Sequence, residues 1–403
     1  MRDQLAAVPR TAQVMSSVCA VLVLTAPVAS AGPPNPAPTP ILPPLVPGQV
    51  VRVGPVAGTG TQTGDFGIGA TDLCEFLDFR TELVQVCGDS FAGQGVGFGR
   101  WFTPVALRVD VDSVNDPGGI RYTGVTGVDT PLLAEPAPAG ASQLPAGVIG
   151  INRQNYLMVT TTRNLVPASS RLVRAEPGRA GWMTVTDSVR PADYLDGAQT
   201  QISGYYDPIP TAESARGWVY IVANNFNRSA PLRLYRVAPQ WFTDRSRWQG
   251  WSAAGWNSPP TPLWADQVGE MNLRQIGGRA VLSYFNATTG NMEVRVATHP
   301  TGLGTAPVTT VVRADIWPEP AEVLPPQENR LAQPYGGYIS PGSTLDEVRV
   351  LVSQWNTGPR DRAPCGHRYF LRLLRGPKPR SGHSDPVIDD SGILMAPPHA
   401  HRG

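Results

Sequence analysis

Five stretches of this chain repeat one pattern, and that repeat limits the fold more than any other feature. LVQVCGDS from Leu83, NYLMVTTT from Asn155, VYIVANNF from Val219, AVLSYFNA from Ala280 and VRVLVSQW from Val348 start at near-even intervals. Each is followed by a turn rich in Gly, Asn, Ser or Pro, then by a strand carrying arginine: VALRVD, SRLVRAE, LRLYRVA, MEVRVAT and RYFLRLL. Four are preceded by a further short strand pattern, TDLCEF, GVIGIN, GEMNLR and YGGYIS, and the remaining repeat offers ISGYYD. Short apolar runs bounded by turn residues read as strands. Prolines interrupt most candidate amphipathic helices. Five units of three or four antiparallel strands predict an all-β fold, a five-bladed β-propeller over residues 49–375. A β-sandwich with long loops is the alternative, but it accounts poorly for the spacing.

The first repeat carries the most chemistry. Gly69 to Phe91, GATDLCEFLDFRTELVQVCGDSF, reads as a β-hairpin turning near Arg80 and Thr81. If Cys74 faces Cys87, the numbers of every opposed pair sum to 161, and Asp72 then faces Asp89. Strand side chains repeat with a period of two, so both acids stand on the side of the sheet that bears the cysteines. A disulfide would lie beneath two adjacent carboxylates at the hairpin's open end. In a propeller, the start of a blade's first strand and the end of its second share one face. Glu270, in GEMNLR, occupies in its own repeat nearly the place Asp72 holds in the first, and is expected at the same central depression.

The ends of the chain read differently. Residues 1–31 have a positive start (Arg2, Arg10), an apolar run from Val14 to Val28 and a small-residue end at Ala29-Ser30-Ala31. This is the pattern of a secretory signal peptide; an uncleaved anchor is the alternative, although the run is short for a span. A proline-rich linker occupies residues 32–48, and a tail expected to be disordered occupies 376–403. The protein is therefore expected to be exported, with no membrane span after leader removal.

The chain has 33 Lys+Arg against 32 Asp+Glu, and the leader contains Arg2, Arg10 and Asp3, so the remainder is neutral. Without a basic block there is no electrostatic footprint for nucleic acid. Beyond the leader the cysteines are Cys74, Cys87 and Cys365. An oxidising compartment suggests a Cys74–Cys87 disulfide, with a bridge from either one to Cys365 as the rival. These spacings do not resemble a zinc site. His383, His399 and His401 sit in the tail, where loose metal binding competes with no function at all. No cofactor or metal is expected, and the chain is taken to be a monomer.

Two close carboxyl groups can divide acid and base work on a glycosidic bond, because each raises the other's cost of ionising. The competing reading is that Asp72 and Asp89 cap turns or pair with arginine. Asp89 is expected to be the general acid, desolvated by Phe91, and Asp72 the base or nucleophile. Glu270 is a candidate third acid, pKa modulator or sugar ligand, unless it pairs with an arginine such as Arg274. Trp101, Tyr338 and Trp355, with Phe91 and Trp264, are candidate stacking surfaces for sugar rings, with blade packing as the alternative. Asn225 and Gln354 are candidate hydroxyl ligands, and turn roles compete for them. Neither His299 nor His367 has a nucleophile spaced near it, which leaves a catalytic triad unsupported.

At ATDLC (Ala70 to Cys74) and CGDSF (Cys87 to Phe91) the chain resembles secreted endo-D-arabinofuranases, glycoside hydrolases long catalogued as a domain of unknown function, DUF 4185. GWVYIVANNF, GEMNLRQIGGRAVLSYFN and PYGGYISPGS extend the resemblance over roughly Gly48 to Arg375. It implies a five-bladed propeller that cleaves α-D-arabinofuranosyl linkages in cell-wall arabinogalactan and lipoarabinomannan. It further implies that Asp72 and Asp89 are the catalytic acids. The other function weighed is a non-catalytic propeller that binds wall glycan or a partner protein through the same depression.

Overall fold

The computed structural model describes residues 48–371 apart from 59–60, 96, 117–118, 316–328 and 355–366, and of 367–371 the backbone alone. The leader, nearly all of the linker, the tail, Cys365 and Trp355 lie outside the described residues. The fold is nearly all-β, and helical structure among the described residues is limited to short 3-10 turns. No described helix is long and apolar enough to cross a membrane.

Each of the five sequence repeats lies in its own sheet of four or five strands. The first sheet runs Glu75–Asp78, Leu83–Cys87, Val105–Val109, Tyr122–Thr126, and the first four strands of the next three follow the same consecutive antiparallel order, while the last strand of the fourth, Arg330–Ala332, pairs in parallel with Val308–Asp315. The five apolar runs are the second strands. Leu83–Cys87 and Trp218–Asn224 are buried along their whole length, which accounts for apolar side chains on both faces. The arginine-bearing strands come third, and in two of them a guanidinium group lies over an indole ring. Arg236 sits 4.0 Å from the Trp218 ring and Arg295 sits 4.2 Å from that of Trp264.

One strand falls outside the repeat reading. Val50–Pro55 pairs antiparallel with His367–Leu371, so the start of the fold supplies the edge of its last sheet. A small sheet of Ala70–Thr71, Ser90–Phe91 and Trp101–Phe102 stands beside the first.

Apolar clusters join the sheets in succession. Leu77, Val86, Leu157 and Val159 link the first to the second, and Ile149, Ile202 and Ile221 the second to the third. Val222, Leu234, Leu273 and Leu282 join the third to the fourth, and Val281, Val294, Ile339 and Val350 the fourth to the fifth. Phe76, Leu107 and Leu351 return from the fifth to the first. A fully buried aliphatic side chain of this kind contributes roughly 1.5–3 kcal/mol relative to leaving it exposed. The first strands of neighbouring sheets also lie side by side, including the pair from the fifth and first sheets. Near them Glu75 accepts hydrogen bonds from Asn272 and from Arg274 (2.8 Å), binding the first sheet to the fourth.

Candidate active site

The hairpin has the register its cysteines suggest. Glu75 pairs with Val86 and Asp78 with Leu83; beyond the cysteines, Thr71 pairs with Ser90 and Ala70 with Phe91. Every one of these pairs sums to 161. Cys74 and Cys87 form a disulfide with their Cα atoms 4.0 Å apart. Between the two ladders the first strand leaves its path at Leu73, whose φ is 50°. Gly88 N–H still donates to the Asp72 carbonyl at 2.8 Å, holding the open end together. A Cβ at Gly88 would stand 3.0 Å from Asp72 Oδ1 and 3.1 Å from Leu73 Cβ. Glycine therefore leaves the acid its space.

Two further side chains reach the same place from breaks in register. Glu270 lies in Val268–Ile276, where pairing shifts between Val268 and Met271. Tyr335 lies in Pro334–Ile339, where pairing shifts between Tyr335 and Gly337, and Gly336 between them has a φ of 58°. A bulge turns one side chain off the regular alternation, and here two bulges aim side chains at Asp72. The Tyr335 hydroxyl donates to Asp72 Oδ2.

Asp72, Asp89, Glu270, Arg228 and Tyr335 line one cavity of about 360 Å³, with Leu73, Leu144, Leu165, Phe226 and Asn227. Asp72 and Glu270 are only 6% and 3% exposed. Arg228 donates to Glu270 Oε1 through Nε at 3.0 Å and Nη2 at 2.5 Å, and its guanidinium lies 5.2 Å from the Tyr335 ring. Asp72 Oδ1 and Glu270 Oε2 are buried without a hydrogen-bond partner among the described residues. Asp89 is half-buried and accepts a 2.9 Å hydrogen bond from the indole N–H of Trp101, whose ring is 44% exposed.

Burial pushes the Asp72 carboxyl well above the usual carboxylate range. The charges of Asp89 and Glu270 add to that shift, while the Tyr335 hydrogen bond and Arg228 oppose it. Burial also raises Asp89, against the hydrogen bond from Trp101. This corrects the expectation that Asp89 is the more desolvated acid. Phe91 packs against Ala70 in the small sheet, whereas the turn at Leu73 sets Asp72 under Tyr335.

The remaining candidates separate sharply. Glu270 pairs with Arg228, not Arg274, which is engaged with Glu75. Asn225 is a turn residue: its Oδ1 accepts from Ser229 N–H at 3.0 Å and its carbonyl from Arg228 N–H at 3.2 Å, so it delivers Arg228 to the cavity it does not itself line. Tyr338 is buried against Leu73 and Tyr335 and lines, with Asp72, a cavity of only about 20 Å³, too small for a sugar ring to stack on it. Gln354 is buried and donates to the Ala332 carbonyl at 3.0 Å, a contact within the fold. Arg228 and Tyr335 escaped the sequence reading. The only signals were an NRS tripeptide that reads as a glycosylation sequon, and paired glycines after Tyr335 that mark a bulge.

Residues 57–371 match the family model described as "Domain of unknown function (DUF4185)". The chain belongs to the DUF4185 family. A protein of Mycolicibacterium smegmatis, described as "Uncharacterized 35.9 kDa protein in asd 3'region", is 67% identical over 318 residues, covering 78% of this chain and 96% of that protein. "Notoamide biosynthesis cluster protein J" of Aspergillus sp. (strain MF297-2) is 25% identical over 326 residues, covering 72% of this DUF4185 chain and 81% of its own.

Among solved structures, a GH43_1 enzyme from Xanthomonas citri aligns with 81% of the chain and 90% of its own, at 10% identity and a TM-score of 0.43. The alpha-L-arabinofuranosidase PaAbf62A from Podospora anserina, in complex with cellotriose, aligns with 82% and 98% at 11% identity and a TM-score of 0.45. At that level of likeness neither assigns a residue of this DUF4185 site.

Proposed function

We propose that this DUF4185 protein is a glycoside hydrolase with Asp72 as general acid and Asp89 as base or nucleophile. The observation that carries the reading is a pair of carboxyl groups on one cavity with unequal burial, so that one holds its proton where the other is freer to ionise. Asp72 gives its proton to the glycosidic oxygen as the bond to the anomeric carbon breaks. Asp89 takes a proton from the attacking water, or adds to the anomeric carbon itself. The half-open position of Asp89 suits contact with water or sugar. The unpartnered Oε2 of Glu270 and the amide of Asn227 are placed to bond sugar hydroxyls, and the exposed Trp101 ring is placed to stack on a neighbouring residue.

The architecture we infer is a five-bladed β-propeller, supported by sheet packing that runs from the first sheet to the fifth and back to the first. The substrate we propose is the α-D-arabinofuranosyl linkage of cell-wall D-arabinan, cleaved within the chain. Its support is the resemblance at ATDLC and CGDSF. Export is proposed on the leader alone, and sequencing the mature N-terminus from culture filtrate or envelope should begin at Gly32.

Purified protein incubated with arabinogalactan and lipoarabinomannan is expected to release oligosaccharides resolvable by chromatography. Saturable binding without products would replace the enzyme with a non-catalytic glycan-binding protein. Neither products nor binding on any D-arabinan would remove the substrate class.

A further inference from the structure

A non-glycine side chain at positive φ costs roughly 1–2 kcal/mol, and such residues persist where something else requires them. Apart from Asn and Asp, which tolerate this region, the described residues that adopt it are Leu73, Arg80, Leu165, Leu195, Arg228 and Gln333. Three of them, Leu73, Leu165 and Arg228, line the carboxylate cavity. Two have contacts that offset the cost. Leu73 packs against Tyr335 and Tyr338, and Arg228 holds Glu270.

Leu165 has no such compensation. It is the second residue of the two-residue turn Asn164-Leu165, with φ values of 49° and 63°, and the turn closes on the pair Arg163–Val166. A hairpin turn with both central residues at positive φ is best served by glycine at the second position. The strands on either side, Gln154–Arg163 and Val166–Ala175, span ten residues each, and they end in this apolar tip. Leu165 is 62% exposed and belongs to no apolar cluster among the described residues, yet it faces the cavity beside the acids. Strain and apolar exposure together lower stability without any return within the folded chain.

We propose that Leu165 is a specificity-determining residue: its side chain packs on the apolar C–H face of the sugar ring whose hydroxyl side meets Asp72, Asp89 and Glu270. This rests on the glycoside hydrolase reading above. Leu165 then belongs, with Leu73, Leu144 and Phe226, to the apolar part of the cavity lining, and the acids to the polar part. A sugar presented with its faces exchanged would set hydroxyls against leucine and leave the buried carboxyl oxygens unbonded, a pairing that sites of this kind reject.

The test compares Leu165→Gly, Leu165→Asn and Leu165→Met on linear D-arabinan oligosaccharides, with thermal unfolding measured on each. Glycine relieves the backbone, so Leu165→Gly is expected to unfold at an equal or higher temperature while losing about tenfold in kcat/KM through KM. Asn fits the turn but is polar, and should lose affinity in the same way; Met restores the apolar contact and most of the affinity. An unchanged KM in Leu165→Gly, with active wild type in hand, overturns this inference alone, as does a lower unfolding temperature that makes Leu165 a structural residue. Wild type that neither cleaves nor binds the oligosaccharides removes the enzyme reading and this inference together.

Discussion

The first and fourth sheets carry an acid at matching places and treat it in opposite ways. Asp72 precedes the first strand of its sheet, and Glu270 lies near the start of Val268–Ile276. At the end of the following strand the first sheet continues into Gly88 and Asp89, and the fourth ends at Asn286. Asn286 is consumed by its surroundings: it donates to Asp266 at 2.9 Å and to Glu293 at 3.1 Å, and accepts from Thr288 N–H at 3.0 Å. Asp89, carried past Gly88 toward the small sheet, has Trp101 as its one side-chain hydrogen-bond partner among the described residues and faces the cavity. Glu270 receives a partly exposed arginine, while Asp72 receives a tyrosine and two neighbouring acids. Burial beside like charge favours, on Asp72, a proton that can be given away. One fold position thus holds an ion-paired acid in one sheet and, under the proposed function, the proton donor in another.

The sharpest way to break this comparison is to remove each acid of the first sheet. Asp72→Asn and Asp89→Asn are each expected to lose about 10²–10⁴-fold in kcat/KM on D-arabinan, with the fold intact by circular dichroism. An aryl arabinofuranoside with a good leaving group needs little protonation. Asp72→Asn should regain much of its rate on that substrate, and Asp89→Asn should not. Rescue confined to Asp89→Asn would reverse the two roles. Near-normal activity in both variants would make the pair structural.

The fourth sheet is tested through its arginine. Arg228→Met strands the Glu270 carboxylate, which is 3% exposed. Breaking a fully buried pair costs about 3–5 kcal/mol. The Arg228 side chain is 37% exposed, so about 2–3 kcal/mol is expected here after discounting for solvent. Urea unfolding measures it, and Glu270→Gln in the same background should recover most of the loss. If Arg228→Met unfolds like wild type, the ion pair does not hold this side of the cavity.

A third test uses pH. A carboxyl whose pKa is higher folded than unfolded binds its proton more tightly in the native state, so stability falls as pH rises between the two values. For Asp72 that window opens at the ordinary aspartate value of 3.8 and extends upward to its raised native value. Glu75, pushed up to about 7 by burial despite Arg274, adds a slope of the same sign between 4.5 and 7. Asp72→Asn should therefore be more stable than wild type near neutral pH and flatter across this range, retaining the share due to Glu75. Parallel curves for the two proteins would mean that Asp72 is ionised in the native state.

What could be read in the sequence followed from periodicity. Alternation and turn residues located the five strand pairs, and the cysteine spacing gave a register that holds on both sides of the break at Leu73. The strand Val50–Pro55 was missed because its partner lies at the far end of the chain, and no local pattern reports such a pairing. Asn225, Tyr338 and Gln354 were misplaced for a shared reason. Knowing which end of a strand a residue occupies does not say whether its side chain faces solvent, a turn or the core. Tyr335 and Arg228 depend on a bulge and a left-handed turn, both departures from the periodicity that made the rest legible. The relative burial of the two acids was misjudged similarly, since Asp72 is enclosed beside Tyr335, a residue distant in sequence.

The smallest expected effect concerns the one hydrogen bond that separates the acids. Trp101 donates its indole N–H to Asp89 Oδ1 and thereby favours the ionised carboxyl. Trp101→Phe keeps an aromatic ring for stacking and removes the donor. A hydrogen bond to a charged group contributes roughly 1.5–3 kcal/mol when buried. Asp89 is half-buried and Trp101 is 44% exposed, so water replaces much of that contribution. Loss of the donor should accordingly raise the Asp89 pKa modestly. Because Asp89 acts ionised, a higher pKa moves the acidic limb of the kcat/KM profile toward higher pH and leaves the alkaline limb, set by Asp72, in place. A shift of the alkaline limb instead would mean that Trp101 steadies the proton donor, and the assignment of Asp89 as base or nucleophile would fall with it.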